Sequence, residues 1–437
     1  MKYFGTDGIR GKVNSVITPD LALKVGTALG NLNEARIKVL IGMDTRQSCL
    51  PLANAIAAGI NSTNSDAVIV GVIPTPGISY LTANEDFDFG IVISASHNSF
   101  EDNGIKIFDK NGQKISEAVE LKIEDLIESF EPKSQNINYG TTYTDNLLIN
   151  QYIDYLVNSI SLKKINMKVA LDLANGATTS LAVNIFDKLG IQTTVIGDKP
   201  DGVNINHNVG STNINALQEI VKLGDFDCGF AFDGDGDRII MVDNNGQVID
   251  GDHIIYLIAE KLKNENNLPG NKIVMTVMTN LAIIDKLNEI DINVEVCAVG
   301  DKNVSRALVS ENLSLGGEQS GHIIMREFAE SGDGILVALQ LCEFVQNLNQ
   351  DVNSKLAHIV LNPQTLKNIN VKSKHMIMEN PLIKEKILEI EERLAGSGRV
   401  LLRASGTEEL IRIMVEAKNL LTCNEITREI EELIQTI

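Results

Sequence analysis

Three carboxylates alternate with glycine in Asp233-Gly-Asp-Gly-Asp-Arg238. In so flexible a loop they can converge on one hard cation, and oxygen ligands of this kind suit Mg²⁺ or Ca²⁺. An EF-hand needs Gly at the sixth position and Glu at the twelfth. Those positions hold Arg238 and Asn244, so that motif fails. The plain alternative is an acidic surface turn. Three like charges beside an apolar strand repel without a counter-ion, and Arg238 alone does not balance them.

A second polar loop, Ser94-Ala-Ser-His-Asn98, ends the apolar run Gly90 to Ile93. A hydroxyl held on a rigid strand end is well placed to act as a nucleophile. The loop is not the GxSxG elbow of α/β-hydrolases, His97 does not suit a conventional triad, and a simple turn is the competing reading. The segment Arg403-Ala-Ser-Gly-Thr-Glu-Glu-Leu-Ile-Arg412 has the parts of an anion cradle. Gly406 permits close backbone approach, Ser405 and Thr407 offer hydroxyls, and Arg403 and Arg412 can fork onto phosphate oxygens. A hairpin with two surface arginines is the alternative. Gly316-Gly-Glu-Gln-Ser-Gly-His322 supplies a carboxylate, an amide, a hydroxyl and an imidazole. Such a set suits vicinal hydroxyls on a sugar, and Glu318 could also meet an ammonium. Arg10, in Thr6-Asp-Gly-Ile-Arg10, and Lys106, in Asn103-Gly-Ile-Lys106, add two cations.

These loops need a scaffold, and the chain repeats one. Apolar runs at Lys38–Asp44, Lys168–Ala174 and Lys272–Met278 suit strands buried on both faces. A helical stretch follows each: Pro51–Ser62, Thr178–Leu189 and Leu281–Glu289. Second runs follow at Ala67–Val72, Thr193–Ile196 and Val294–Val299, and third runs at Phe89–Ile93, Asp227–Phe232 and Asn312–Leu315. Each third run leads into a polar loop described above. The pattern predicts an α/β fold of three similar α/β domains with mixed sheets. Ligands in open α/β sheets bind beyond the carboxyl ends of the strands, so the three loops could face a common central cleft. From about Asn368 the pattern becomes a small C-terminal α+β domain: strand, helix (Asn380–Leu394), strands (Arg399–Leu402, Leu410–Ala417) and helix (Glu425–Gln435). The expected division is 1–150 with the serine loop, 151–250 with the metal-binding loop, 251–367 with the sugar-binding loop, and 368–437 with the phosphate cradle.

Composition sets limits on function. The chain has 437 residues, which allows two to four domains. Hydrophobic residues are 43% and aromatics only 4%, so the cores must be aliphatic; disorder, collagen and disulfide-stapled folds are excluded. The net charge of −20 repels polyanions, so neither nucleic acid nor an anionic membrane is an expected partner. An anionic substrate would require local cations, which the Arg403–Arg412 segment offers. No apolar run reaches the ~18 residues of a membrane span, and the first residues lack the apolar region of a secretory signal. The five cysteines (Cys49, Cys228, Cys297, Cys342, Cys423) are scattered and form no CxxC. Reduced thiols in a cytoplasmic protein are expected. The six His form no HxxxH pair, which argues against a zinc site of ordinary spacing.

Taken together, these segments resemble the α-D-phosphohexomutase superfamily and, within it, the bacterial phosphoglucosamine mutases. Lys2-Tyr-Phe-Gly-Thr-Asp-Gly-Ile-Arg-Gly11 is similar to the opening of that group, and Ile93–Asn98, Phe232–Arg238, Gly316–His322 and Arg403–Glu408 match four signature loops in order. The resemblance spans the chain. It implies reversible conversion of glucosamine 6-phosphate and glucosamine 1-phosphate, through a phosphoserine enzyme and a bisphosphorylated sugar, feeding UDP-N-acetylglucosamine and cell-wall precursors. It implies Ser96 as the phosphoserine and one Mg²⁺ per subunit held by Asp233, Asp235, Asp237 and the phosphate on Ser96. The implied catalytic group is Ser96, Lys106, Arg10 and His97. The implied substrate-binding group is Glu318, Ser320, His322, Lys302, Arg403, Ser405, Gly406, Thr407 and Arg412. The implied partners are small-molecule sugar phosphates, and a homodimer is compatible. Ser99, Lys302, Asn303 and Glu409 depart from the usual pattern; Lys302 keeps a charge but loses the bidentate fork of arginine. A phosphomannomutase or phosphoglucomutase of the same superfamily, a non-catalytic sugar-phosphate sensor, and a Ca²⁺-binding structural protein are the rival readings.

Overall fold

A computed structural model describes residues 2–5, 7–32, 35–130, 138–348, 351–404 and 409–437. The threefold repeat is real at the level of sheet topology. In the first copy the strand Lys38–Met43 lies between two parallel partners, Asp66–Val72 and Phe89–Ile93, and Asp102–Asp109 returns antiparallel beside the latter. In the second, Lys168–Asp172 lies between Gln192–Ile196 and Cys228–Phe232, with Ile239–Asp243 returning antiparallel. In the third, Lys272–Thr276 lies between Asn293–Cys297 and Leu315–Gly317, with Ile323–Met325 antiparallel. Each polar loop therefore joins the last parallel strand to its antiparallel return. The first sheet is widened to seven strands by Phe4–Gly5, Gly8–Lys12 and Thr142–Thr144, and the second to five by Val248–Ile249.

Central strands are buried on both faces, as their continuous aliphatic sequences require. Val39, Leu40, Ile41, Ile91, Val92 and Ile93 are fully buried. Helices start where side chains satisfy the orphan N–H groups of a first turn. Thr18 Oγ1 accepts from Leu21 N–H ahead of Pro19–Gly30, and Asp333 Oδ1 accepts from Leu336 N–H ahead of Gly334–Gln346.

The fourth sheet is antiparallel, in the order Gln364–Asn370, Leu410–Glu416, Arg399–Ala404, covered by Pro381–Leu394 and Leu420–Gln435. Contacts divide the chain into two compact units, Met1–Met278 with Ile290–Leu356, and Thr279–Glu289 with Ala357–Ile437. The helix Leu281–Glu289 follows a third-repeat strand in sequence but groups with the C-terminal unit. Leu281 N–H donates to Glu416 Oε1 at 2.7 Å, and Asn280 Nδ2 donates to the Asn362 carbonyl at 2.9 Å. Residue 150 lies inside the helix Leu148–Asn158 and residue 367 inside the strand Gln364–Asn370.

Three elements differ from expectation. Thr178–Leu189 is not one helix but a 3₁₀ turn, Ala177–Ser180, followed by Ala182–Lys188. Thr179 and Ser180 hydroxyls donate to the carbonyls of Gly176 and Ala177, a local bonding pattern that competes with helix extension. The third run of the third copy begins at Leu315, because Asn312 takes φ +52° in a turn. The last helix starts at Leu420 rather than Glu425, since Asn419 Oδ1 caps it by accepting from Thr422 N–H at 2.9 Å.

Candidate active site

Ser96 sits just past the end of the strand Phe89–Ile93, in a loop held from several sides. Ser94 Oγ donates to Asp44 Oδ2 at 2.6 Å and accepts from Ser96 N–H at 2.9 Å. Arg46 pairs with Asp44 at 2.9 Å, both side chains fully buried, and donates to the carbonyls of Ser96 and Asn98 at 3.0 and 2.9 Å. Asn206 Nδ2, from the second sheet's domain, donates to the same two carbonyls at 2.9 Å. This clamp holds Ser96 at φ +52°, a left-handed conformation that side chains seldom adopt. Such an outlier points to function when the surroundings over-determine it. Ser96 Oγ donates to Asp233 Oδ2 at 2.6 Å and lies 3.2 Å from His97 Nδ1.

Asp233, Asp235 and Asp237 follow the strand Cys228–Phe232, and one carboxylate oxygen from each lies within 4.8 Å of the others. All three are buried. Thr75 Oγ1 donates to Asp235 Oδ2 at 2.5 Å, and Lys106 Nζ reaches Asp235 Oδ2 at 2.7 Å and Asp237 Oδ2 at 3.3 Å. Burial pushes the Asp233 carboxyl well above the usual range, reinforced by the charges of Asp237 and Asp235. Burial acts upward on Asp235 too, but the Lys106 ammonium outweighs it and holds this carboxyl low. Asp235 Oδ1 and Asp237 Oδ1 are buried with no hydrogen-bond partner among the described residues. Two buried carboxylate oxygens left without a hydrogen bond, with Arg238 Nε 3.9 Å from that of Asp237, fit a hard divalent cation.

The cations behind this cluster share Asp7. It pairs with Arg10 and Lys114, and lies 3.2 Å from Lys106 Nζ. Burial opposes the charge on Lys106, yet Asp235, Asp7 and Asp237 raise its pKa well above the ordinary lysine value. His97 is the reverse case. Burial, then Arg238 and Arg10, push its imidazole down to about 4.

The third loop turns between Leu315–Gly317 and Ile323–Met325. Glu318 is 7% exposed, and its Oε1 accepts from Gly300 N–H at 2.9 Å. His322 is buried, forms a backbone bridge with Arg238, and leaves Nδ1 without a partner among the described residues. Ser320 is exposed. Lys302 and His322 line one cavity of about 450 Å³, with Lys114 and Asp301. Within it Lys302 is already paired, to the buried Glu120.

In the C-terminal unit Arg403 and Arg412 are directly opposed on antiparallel strands, so their side chains share one face of the sheet. Arg412 is exposed. Like charges placed opposite each other are destabilising without an anion between them. Ser405, Gly406 and Thr407, expected to complete this cradle, lie outside the described residues. Glu409 turns to Lys374, accepting its N–H at 3.1 Å and lying 3.8 Å from its ammonium, so this departure from the usual pattern carries its own counter-charge.

Models of the phosphoglucomutase/phosphomannomutase family match in order: alpha/beta/alpha domain I over residues 1–133, domain II over 150–246, domain III over 250–361, and the C-terminal domain over 366–433. The phosphoglucosamine mutase of Clostridioides difficile is 42% identical over 444 residues, spanning 99% of both chains. That of Bacillus subtilis is 41% identical over 443 residues, spanning 100% of this chain and 98% of its own. The chain belongs to the phosphoglucosamine mutase family. Solved structures show the same fold. A phosphoglucomutase/phosphomannomutase family protein from Burkholderia thailandensis superposes with a TM-score of 0.84 at 24% identity, covering 99% of this chain and 97% of that one. The Aspergillus fumigatus N-acetylphosphoglucosamine mutase, solved with GlcNAc-6P and magnesium, superposes at 0.70 and 17% identity, covering 99% and 95%.

In this member of the phosphoglucosamine mutase family, five residues that touch these loops or their cations do not stand out in the sequence: Arg46, Thr75, Asn206, Asp7 and Lys114. Arg46 and Thr75 follow the carboxyl ends of the strands Lys38–Met43 and Asp66–Val72, a position that itself flags ligand sites in such sheets. Asn206 stands in an irregular segment that carries no comparable signal.

Proposed function

We propose that the protein interconverts glucosamine 6-phosphate and glucosamine 1-phosphate through a phosphorylated Ser96. One observation carries this reading: the hydroxyl of Ser96, a residue held at φ +52°, lies 2.6 Å from Asp233, at the edge of a buried three-aspartate cluster countered by Lys106. The bond from phosphorus to Ser96 Oγ breaks as the bond to a sugar oxygen forms. The sugar hydroxyl gives up its proton and Ser96 Oγ regains one; the second half-reaction returns the other phosphate to Ser96. Such transfer depends on in-line placement and charge neutralisation. Asp233, Asp235 and Asp237 would hold Mg²⁺, which when bound supplies positive charge to the transferring phosphoryl oxygens. Lys106, with its pKa raised, keeps its proton and adds a fixed cation, with Arg10 behind it. Neutral His97 lies beside Ser96 Oγ and contributes a polar contact rather than a charge.

Glu318, Ser320 and His322, with Lys302, are the sugar-binding group in this reading, and Arg403 and Arg412 hold the phosphate that is not reacting. The domains divide near residues 150, 250 and 367. The compartment is the cytoplasm, where the five free thiols persist, and the partners are sugar phosphates. The test is a coupled assay of purified protein against glucosamine, glucose and mannose phosphates, with intact-mass analysis for phosphate on Ser96. We expect kcat/KM for glucosamine phosphate to exceed that for glucose phosphate by at least about tenfold. Equal turnover of glucose or mannose phosphate would remove the glucosamine assignment and leave the phosphohexomutase chemistry standing.

A further inference from the structure

The peptide unit joining Val299 to Gly300 is held at both of its polar ends. Its N–H donates to Glu318 Oε1 at 2.9 Å, and its carbonyl accepts from Asn303 Nδ2 at 2.9 Å. Gly300 takes φ +117°, a conformation open to glycine and costly for other residues. It is also the N-cap of the helix Asp301–Ser310, so the Glu318 carboxylate rests at the positive end of that helix. The first helical residues are fastened to the first domain by two ion pairs of opposite polarity. Asp301 takes the Lys114 ammonium, and Lys302 gives its ammonium to Glu120. The turn that carries the Gly300 N–H thus has little freedom to rotate.

We propose that Asn303 is a positioning residue for Glu318. By holding the Val299 carbonyl it aims the Gly300 N–H at Oε1, which commits one carboxylate oxygen and turns the other toward the amino-sugar ligand. The inference rests on the reading of Glu318 as the sugar-gripping carboxylate. A glutamate side chain has several rotatable bonds, and fixing it in advance lowers the ordering cost of binding. No functional role follows from the residue type of Asn303 alone; the role comes from the shared peptide plane.

The test combines Asn303→Asp and Asn303→Leu with Glu318→Ala and measures kcat and KM for glucosamine phosphate. Aspartate keeps the shape but cannot donate; leucine keeps the bulk and loses the polarity. Each should lower kcat/KM by about tenfold, chiefly through KM, as expected for loss of a bond that orients a charged group. In the Glu318→Ala background the same substitutions should cost no more than about twofold, because the group they orient is gone. An impaired Glu318→Ala enzyme in which Asn303→Asp still costs its full factor overturns this inference alone. A Glu318→Ala enzyme with wild-type kinetics overturns the sugar-gripping reading and this inference with it. A second measurement needs no Asn303 variant: hydrogen exchange at the Gly300 amide should quicken by about tenfold in Glu318→Ala. Unchanged exchange there would show that the bond does not hold the turn, and the inference would fall.

Discussion

Lys106 Nζ lies 2.7 Å from Asp235 Oδ2, and each side chain is 1% exposed. A buried lysine is tolerated only with close anionic partners, and here three aspartates surround it at 2.7, 3.2 and 3.3 Å. The same pairing makes the three-aspartate cluster foldable, since without it the carboxylates of the loop would repel one another across a buried volume.

Lys106→Met should therefore destabilise the protein by roughly 3–5 kcal/mol in chelator, the cost of stripping one partner from a buried pair. Added Mg²⁺ should raise the Tm of the variant more than that of the wild type, because the ion becomes the main counter-charge. Thermal melts with EDTA and with Mg²⁺ decide the matter; equal Mg²⁺ gains in both proteins would contradict it. The variant should also lose turnover.

Ser96→Ala should abolish turnover with the fold intact, and phosphate should disappear from the intact mass. The φ of +52° adds a second expectation. Ser96→Gly should be equally inactive yet more stable than Ser96→Ala by about 1 kcal/mol, since a Cβ is disfavoured in this conformation. Denaturant melts of the two variants test this, and a less stable glycine variant would show the backbone to be unstrained.

Arg412→Ala should raise KM for both the 1- and 6-phosphate by about tenfold with kcat within about twofold, as expected when uniform binding is lost. Because Arg412 faces Arg403 across the sheet, inorganic phosphate should also raise the Tm of the wild type more than that of the variant. A pure kcat defect would move Arg412 toward the reacting phosphate.

His97 should stay neutral from pH 8 down to near its value of about 4, where an ordinary histidine has already charged. As pH falls from 6.5, the unfolded chain takes up this proton before the native one. The contribution of His97 to stability is thus full above about pH 6.5 and is lost as pH falls through about 4. Relative to His97→Gln, the wild type should lose stability across that window and not above it. NMR titration of the His97 ring checks the value directly, and a midpoint near 6.5 would refute it.

Much of the scaffold was legible in the sequence because strands buried on both faces must be continuously aliphatic. The runs at Lys38, Lys168 and Lys272 could be little else, and the glycine-rich or hydroxyl-rich loops after the third strands stood out against them. Helix limits were less legible where short polar side chains decided them, as Thr179 and Ser180 do by bonding back to their own turn and Asn419 by capping early. Arg403 and Arg412 were legible as a pair, but not that they stand directly opposite.

What the sequence determined by itself was therefore local: which segments must be buried, which loops carry carboxylates, hydroxyls and cations, and that the net charge of −20 needs a cationic focus for an anionic substrate. The tertiary structure alone decided the partnerships. Lys106 meets Asp235 across 129 residues, Thr75 meets the same carboxylate across 160, and Lys302 reaches Glu120 across 182. A polar side chain's charge and reach are written in its residue type, but its partner depends on how separate sheets pack. Contacts formed over such separations leave no periodic or neighbouring pattern from which a single sequence could reveal them.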